Sequence, residues 1–175
     1  TGTNGKSTTA KILHEVLMGQ KYDSRLIGNI GNPALSEKQI TKKTIFVIEA
    51  SSYQLDYSKI FTSKYALILN ITPDHLERHK NLKNYVNAKF KLINFQTNKS
   101  IALVKKNDSL ICKALKKAKF KQKIIKVDTL KNDKIFDQLK NQYFSSFGNR
   151  ENLSFILIIS RILKLDNKKL FKTLN

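Results

Sequence analysis

The first eight residues, TGTNGKST, constrain the fold more than any other part of the chain. Gly2 and Gly5 allow a tight turn in which consecutive backbone N–H groups point into one concavity and can bind phosphate oxygens. Lys6 can then neutralise the outer phosphates, and the Ser7 hydroxyl can ligate the magnesium that accompanies them. An ordinary glycine-rich turn before a helix is the competing interpretation, but few such turns carry Gly-Lys-Ser in this register. The segment therefore predicts a nucleotide-binding loop that opens a helix.

The start of the chain lacks two parts that normally accompany such a loop. The usual glycine six places before the lysine would precede residue 1, and so would the strand that leads into the loop. There is also no initiator methionine. We therefore expect a piece of a longer protein in which residues 1–175 form one domain. This length suffices for a proper core, and the hydrophobic fraction of 41% is ordinary.

The formal net charge of +20 invites a nucleic-acid interpretation. Nearly all of the positive charge is lysine, and it comes with abundant Asn and Ile, a combination that AT-rich codons produce. The lysines are scattered, and no aromatic residues interleave with them as a base-stacking surface requires. We therefore expect no nucleic-acid partner.

Cysteine content and hydropathy favour a cytoplasmic protein. Cys112 is the only cysteine, which excludes an internal disulfide and a multi-cysteine metal site, and its apolar neighbours predict a buried position. No apolar run approaches the roughly 18 residues needed to cross a membrane, and no signal peptide is visible. We expect a cytoplasmic monomer without a membrane partner.

Apolar runs alternate with helical patterns, which is typical of an α/β domain with a mainly parallel sheet flanked by helices. The sequence predicts strands over 44–49, 65–70, 100–104 and 123–127. It predicts helices over 7–19, 82–95, 108–118, 149–163 and 167–174. The 149–163 helix is apolar nearly all round and is therefore predicted to be buried. Residues 128–147 are predicted to be irregular and polar, with a short strand near Ile135.

Polar side chains stand at the ends of two predicted strands. Glu49 closes the 44–49 strand, and Asn70 closes the 65–70 strand, with His75 shortly after it. Ligands of open parallel sheets bind at the carboxyl ends of the strands, where the phosphate loop is also expected. Taken singly, the glutamate could be structural and the histidine a surface or core residue. Together with a phosphate loop, a carboxylate and an imidazole at adjacent strand ends favour a divalent-metal site.

Lys89 lies within an apolar stripe of the 82–95 helix. The stripe has the i, i+3, i+4, i+7 spacing and consists of Leu82, Tyr85, Val86, Lys89, Phe90 and Ile93. A buried lysine is costly unless it is neutralised, paired or modified. The alternative is that its stem is buried while the ammonium reaches the rim of the domain.

Asn149 and Asn152 occupy the first turn of the predicted 149–163 helix. Asn149 is a good N-cap, which is the purely structural interpretation. Two amides at a helix N-terminus would also suit recognition of a nucleotide.

Taken together, these motifs resemble the central, ATP-binding domain of the Mur ligases, which has a P-loop NTPase-like fold. The matching segments are TGTNGKST at 1–8, GNIGNPAL at 28–35, IEASSYQL at 48–55, NITPDHLERH at 70–79 and YVNAKFKLI at 85–93. Their order and spacing form a highly specific set, to which residues 105–145 add little. Within the superfamily, GNIG-x-P and E-x-SSYQL point to the member that adds D-glutamate. The other Mur ligases and folylpolyglutamate synthase share the phosphate loop but differ at those two motifs.

The resemblance implies a role for each matching residue. ATP would be bound by Gly2, Thr3, Asn4, Gly5, Lys6, Ser7, Thr8, Asn149 and Asn152. Two magnesium ions are implied, one on Glu49 near the γ-phosphate and one on His75, and Ser7 would also serve as a ligand. Lys89 matches a lysine that such enzymes carbamylate, and its carbamate would join the metal ligands. The UDP-muramoyl substrate would lie near Asn29, Ser51, Gln54 and His75. Catalysis would therefore depend on Lys6, Glu49, His75 and Lys89.

The reaction implied by the resemblance is ATP-dependent formation of an amide bond between UDP-N-acetylmuramoyl-L-alanine and D-glutamate. It would proceed through an acyl phosphate and serve the synthesis of peptidoglycan precursors. A preceding domain would bind the uridine nucleotide and a following domain would bring D-glutamate, so the 175 residues alone are expected to be inactive.

The sequence departs from the family pattern at two positions. Gly148 stands where the family has a histidine, and Ser146 stands where it usually has a glycine, so the adenine contacts are the least predictable part. Two alternatives stay open: another amino-acid or glutamate ligase of the superfamily, and a P-loop module that binds nucleotide without ligating anything.

Overall fold

The structure is a computed structural model that describes residues 1–129, 136 and 138–175. The chain divides into two compact units. The first comprises Thr1–Lys6 and Ala50–Asp128, and the second comprises Ser7–Glu49 and Thr129–Asn175. Among the described residues, no helix is long and apolar enough to cross a lipid bilayer.

Helices and strands alternate along most of the described chain. The helices are α1 (Lys6–Gly19), α2 (Ser52–Tyr57), α3 (Leu76–His79), α4 (Leu82–Asn94), α5 (Ser109–Lys116), α6 (Phe147–Ile162) and α7 (Asn167–Leu174). The strands are β1 (Ser24–Gly28), β2 (Ile45–Glu49), β3 (Tyr65–Ile68), β4 (Ile101–Lys105) and β5 (Lys123–Val127). Two short 3₁₀ helices span Ala34–Ser36 and Gln142–Ser145.

The first unit contains a parallel three-stranded sheet in the order β3-β4-β5. The apolar stripe of α4 packs into a core with the inner faces of the sheet and of α5. This core includes the fully buried side chains of Ile68, Ile93, Val104 and Ile111. Burial of each such side chain contributes roughly 1.5–3 kcal/mol. Because the stripe has helical spacing, the same burial that holds α4 in place also carries Lys89 into the interior.

Asp108 joins two segments of the first unit. One carboxylate oxygen caps α5 by accepting hydrogen bonds from the N–H groups of Leu110 and Ile111, both at 3.0 Å. The other oxygen accepts the N–H of Ile71 at 2.7 Å. The first of these interactions is an ordinary N-cap. The second holds the chain in place directly after β3, where Asn70 and the following loop lie.

The second unit contains a parallel pair of strands, β1 and β2, in which Gly28 lies opposite Glu49. One face of α1 packs with β2 around Ala10, Leu17 and Val47. A second apolar cluster joins α1 to α6, α7 and the 3₁₀ helix at Gln142–Ser145. Helix α6 is buried along most of its length, as its all-round apolar sequence predicted.

The predicted elements lie within two residues of the observed ones, and every strand pair among the described residues is parallel, as predicted. The sequence missed β1, because Ser24–Gly28 contains a charged arginine and is not a continuous apolar run, and it missed α2 and α3, because helices of six and four residues are too short to display a helical period. The polar stretch over 128–147 contains the 3₁₀ helix at Gln142–Ser145, and the strand predicted near Ile135 lies outside the described residues.

Two local predictions were wrong. Helix α6 begins at Phe147 and not at Asn149, because the side chain of Ser146 accepts the N–H of Asn149 and acts as the N-cap. Cys112 is partly exposed and not buried, because α5 turns the side chain of the preceding residue, Ile111, into the core. The Cys112 Sγ lies 3.2 Å from the carbonyl oxygen of Lys106.

Candidate functional site

The phosphate loop lies at the carboxyl end of β3 in the first unit. The Leu69 N–H donates to the Thr1 carbonyl, and the Thr3 N–H donates to the Asn70 carbonyl, both at 3.0 Å. The Asn70 side chain continues this pairing, since its Oδ1 accepts the Asn4 N–H at 2.8 Å and its Nδ2 donates to the Asn4 carbonyl at 3.1 Å. Residues 1–4 of the loop therefore run beside the end of β3. This position agrees with the prediction that the loop occupies the carboxyl edge of the sheet.

Thr3 connects the phosphate loop to the segments 70–79 and 85–93. Its hydroxyl lies 3.0 Å from the hydroxyl of Tyr85 on α4 and accepts the N–H of Thr72 at 3.0 Å. Gly5 has φ +79, a conformation that glycine adopts at little cost, and it directs the chain into α1. Lys6 folds back onto its own loop, with its Nζ donating to the Thr3 carbonyl at 3.0 Å.

Lys89 is buried and contacts the phosphate loop directly. Only 1% of the residue is exposed, and its Nζ donates a hydrogen bond to the carbonyl oxygen of Gly2 at 2.7 Å. The Nζ also lies 4.7 Å from the centre of the Tyr85 ring. The alternative considered from the sequence, an ammonium extended to the rim of the domain, was therefore wrong. The side chain points inward because α4 buries the whole stripe to which it belongs.

Burial lowers the pKa of Lys89 from 10.5 to about 7. The loss of hydration is the largest cause, the positive charge of Lys6 lowers the pKa further, and the carboxylate of Asp74 opposes both. A large share of this side chain is therefore an uncharged amine at neutral pH. An uncharged amine is a nucleophile, whereas an ammonium is not.

His75 lies in the loop between β3 and α3, in an unusual backbone conformation. Its φ of +52 and ψ of +34 are left-handed values that a non-glycine residue rarely adopts. The ring stands 5.0 Å from that of Tyr53, and its Nε2 lies 3.4 Å from an oxygen of Asp74. The side chain is 44% exposed, so the imidazole is open to a ligand from solvent.

His79 supports this region from below the surface. It is buried, its Nε2 lies 3.0 Å from the hydroxyl of Ser52, and its ring stacks on Tyr53 and meets Tyr85 edge-on. Burial is the main cause that lowers the pKa of His79, which keeps the ring neutral. The sequence analysis gave His79 no role, and only a contact with residues far away in the chain could have revealed one.

Glu49 ends β2 in the second unit, as predicted, and is held by Asn29. The Asn29 N–H donates to the Glu49 carbonyl at 2.9 Å, and the Asn29 side-chain amide donates to Glu49 Oε1 at 3.1 Å. Glu49 is 2% exposed, and its Oε2 has no hydrogen-bond partner among the described residues. A buried carboxylate oxygen without a donor is unfavourable, and a cation would satisfy it. This observation fits the magnesium ligand that the sequence predicted.

Ser51 and Gln54, predicted to lie near the substrate, bond to each other. The Ser51 Oγ accepts the Gln54 N–H at 3.2 Å, and the Gln54 Oε1 accepts the Ser51 N–H at 2.9 Å. This arrangement is a capping box at the start of α2. The S-x-x-Q spacing was visible in the sequence and could have predicted this helix start. A role in substrate binding stays a prediction for both residues.

The second unit also contains a cavity of about 660 Å³ beside the start of α1. Ser7 and Thr8 border one side of it, and Tyr143 and Phe144 of the 3₁₀ helix border another. Its volume is within the range of small-molecule sites. Tyr143 is half exposed, and sequence analysis missed it because it lies in a stretch that shows no regular pattern.

Asn149 and Asn152, which were predicted to lie near the nucleotide, follow the cavity-lining residues Tyr143 and Phe144 closely in the sequence. Asn149 donates from its side-chain amide to the carbonyl of Tyr143 at 2.7 Å, which holds the 3₁₀ helix against the start of α6. Asn152 is buried within α6. At Gly148, which replaces the histidine of the family, a Cβ would meet no atom within 4 Å other than those of its chain neighbours and of the backbone of its own helix.

In the described part of the chain, no three His, Cys, Asp or Glu side chains converge to form a metal-binding site. Magnesium at a phosphate site usually keeps several waters and takes only one or two carboxylates in addition to phosphate oxygens. Single protein ligands such as Glu49 and His75 are therefore compatible with magnesium binding. Their meeting with Lys89 at one metal site stays a prediction.

Comparison with known proteins identifies the family. Residues 1–165 match the Mur ligase middle domain. A UDP-N-acetylmuramoylalanine–D-glutamate ligase of Rickettsia felis is 34% identical over an alignment of 193 residues, which covers 100% of this chain and 42% of the relative. The chain thus spans less than half the length of this curated relative.

Two solved structures share the fold at low sequence identity. One is the UDP-N-acetylmuramate:L-alanyl-gamma-D-glutamyl-meso-diaminopimelate ligase from Neisseria meningitides, with a TM-score of 0.75 and 15% identity. The match covers 99% of this chain and 63% of that one. The other is the MurF ligase from Thermotoga maritima in complex with ADP, with a TM-score of 0.65 and 17% identity over 97% of this chain and 46% of that one. The family match, the relative and the shared fold agree with the motifs, and the chain belongs to the Mur ligase family.

Proposed function

We propose that this chain is the ATP-binding part of a ligase that joins D-glutamate to UDP-N-acetylmuramoyl-L-alanine in the synthesis of peptidoglycan precursors. The relative from Rickettsia felis carries the name of that activity and is aligned over the whole chain. The motifs GNIG-x-P and E-x-SSYQL at 28–33 and 49–55 support the choice of D-glutamate as the amino acid.

The observation that carries the proposal is the contact between Lys89 and the phosphate loop. A lysine in an ordinary core would be paired with a carboxylate, but this one donates to the carbonyl of Gly2 and has a pKa of about 7. Its uncharged amine can attack CO₂, which forms an N–C bond and releases one proton to leave an anionic carbamate. The carbamate, when present, supplies an additional oxygen ligand for magnesium.

The residues of this chain would then act in two steps. In the first step, the carboxylate of the UDP-muramoyl substrate attacks the γ-phosphorus of ATP, forming an acyl phosphate and releasing ADP. Lys6 lowers the repulsion between the two anions, and the N–H groups of the phosphate loop hold the phosphates in place. Glu49 and His75 would each hold a magnesium ion, which would supply further positive charge. In the second step, the amine of D-glutamate attacks the acyl carbon and displaces phosphate.

The cavity beside α1 suits the nucleoside of ATP. Ser7 and Thr8, the last two residues of the TGTNGKST segment, lie at its edge. The exposed ring of Tyr143 offers an apolar face, which is useful in a chain that has Gly148 in place of the family histidine. We propose that Asn149 and Asn152 contribute to the same region.

Activity of the full-length enzyme tests the proposal. It should release phosphate from ATP when UDP-N-acetylmuramoyl-L-alanine and D-glutamate are both present, and it should not do so with L-glutamate, D-alanine or meso-diaminopimelate. Activity with one of the other amino acids would assign the chain to another Mur ligase. ATP binding with no ligation of any amino acid would favour the P-loop module instead.

Lys89→Ala, assayed with and without short carboxylic acids, tests the carbamate separately. The variant should lose activity, and a small carboxylate should restore part of it by occupying the place of the carbamate. Lys91→Ala is the matched control, because Lys91 lies on the same helix but bonds to Asp56 at the surface. Loss of activity at Lys89 without any rescue would contradict the carbamate.

A further inference from the structure

Asn29 donates two hydrogen bonds to Glu49. Its backbone N–H donates to the Glu49 carbonyl at 2.9 Å, and its side-chain amide donates to Glu49 Oε1 at 3.1 Å. The two residues are 20 positions apart and meet because β1 and β2 are parallel neighbours, with Gly28 opposite Glu49. The side-chain bond occupies one oxygen of the carboxylate and leaves the other one, Oε2, without a partner among the described residues.

Gly28 makes this close approach possible. Its φ is +109, which side chains disfavour, and a Cβ on it would lie 2.3 Å from the Glu49 carbonyl oxygen. The chain therefore turns sharply at the end of β1 and places Asn29 beside the last residue of β2. A glycine at this position is required by the contact between Asn29 and Glu49 and not only by the turn.

We infer that Asn29 is a positioning residue for the metal-binding carboxylate of Glu49. This inference rests on the proposed function, which assigns Glu49 to magnesium. The amide of Asn29 fixes the rotation of the carboxylate by holding Oε1, so that Oε2 is presented to the cation. Outer hydrogen-bond partners of this kind orient metal ligands, and their removal commonly weakens metal binding about tenfold to a hundredfold. The position near the UDP-muramoyl substrate that the sequence predicted for Asn29 stays a prediction beside this role.

The test uses the full-length enzyme and measures metal binding directly. Mn²⁺ replaces Mg²⁺ and is titrated in the presence of a non-hydrolysable ATP analogue, with free Mn²⁺ followed by electron paramagnetic resonance. Asn29→Ala should weaken Mn²⁺ binding about tenfold or more, because the amide is lost while the backbone bond remains. Asn29→Leu has nearly the same size but no amide, so it should weaken Mn²⁺ binding as the alanine variant does.

Asn32→Ala is the matched control. Asn32 lies in the same loop and its amide also donates to a carboxylate, that of Glu37, at 2.9 Å, but Glu37 has no assigned role at the metal. This variant should bind Mn²⁺ as the wild type does. Circular dichroism and thermal melting of all three variants check that each is folded, and the leucine variant serves if the alanine variant is not folded.

Binding of UDP-N-acetylmuramoyl-L-alanine without metal is the second readout. If Asn29→Ala leaves Mn²⁺ affinity within about twofold of the wild type and weakens substrate binding instead, the positioning role is wrong and Asn29 acts on the substrate. Failure of the wild-type enzyme to ligate D-glutamate would refute the proposed function. That result is independent of the Mn²⁺ titration, so the two failures can be told apart.

Discussion

Replacing Lys89 with methionine should change how the stability of the protein depends on pH. The side chain is 1% exposed, and its pKa is about 7 in the folded protein, compared with an ordinary value of 10.5. Each pKa unit corresponds to about 1.36 kcal/mol of preference for one protonation state. Since the folded pKa is below the unfolded one, the unfolded chain binds more protons between pH 7 and 10.5, and stability must rise with pH across that window.

The size of this effect follows from the two pKa values. The contribution of Lys89 to the free energy of unfolding should increase by about 3 kcal/mol from about pH 6 to about pH 9.5, because the loss of its proton on folding becomes less costly as the pH rises. Lys89→Met has a side chain of similar length without the amine, so this increment should be missing. The stability of the variant relative to that of the wild type should therefore be highest at the acidic end of this pH range.

Urea denaturation in CO₂-free buffers, at several pH values within this range, measures the effect. The difference between the wild-type and variant curves isolates Lys89, because all the other titrating groups are common to both. Lys91→Met is the control, and its curve should run parallel to that of the wild type. The reasoning is refuted if the Lys89→Met curve is also parallel to that of the wild type to within about 1 kcal/mol across the range.

Three further perturbations test other parts of the structure, each by urea denaturation. Gly28→Ala should destabilise the protein by about 2 kcal/mol or more, because of its positive φ and the clash of the new Cβ, whereas Gly148→Ala should be neutral or stabilising; equal effects would contradict this account. Asp108→Ala should cost about 2 kcal/mol or more, because three backbone N–H groups lose their acceptor. Asp166→Ala removes a single N-cap hydrogen bond and should cost about 1 kcal/mol. If Asp166→Ala destabilised the protein more than Asp108→Ala, the hydrogen bond from the Ile71 N–H to Asp108 would not contribute as expected. The wild type should lose stability as the pH falls below 6.5, the ordinary histidine pKa, because the lowered pKa of His79 in the folded protein opposes protonation. His79→Gln should reduce this loss, and an unchanged loss of stability at acid pH would exclude His79 as the cause.

The pattern of residues along the chain was sufficient for much of the fold. Apolar runs located four strands and helical periodicity located five helices, each to within two residues. Helical periodicity also placed Lys89 on a buried face. The short elements β1, α2 and α3 were missed, and the start of α6 was misplaced by two residues, because caps and turns depend on single side chains such as Ser146.

The candidate site divides in the same way. The glycine-rich loop, the strand-end glutamate and the matching motifs are local signals, so the sequence by itself determined the family and the residues to examine. Their partners are distant in the chain: Lys89 meets the carbonyl of Gly2, which is 87 positions away, and Asn29 meets Glu49 across two parallel strands. Burial, which lowers the pKa of Lys89, and the unpartnered oxygen of Glu49 are likewise properties of packing. Only the tertiary structure could decide them, because desolvation and hydrogen bonding depend on which atoms become neighbours and not on which residues are adjacent in the chain.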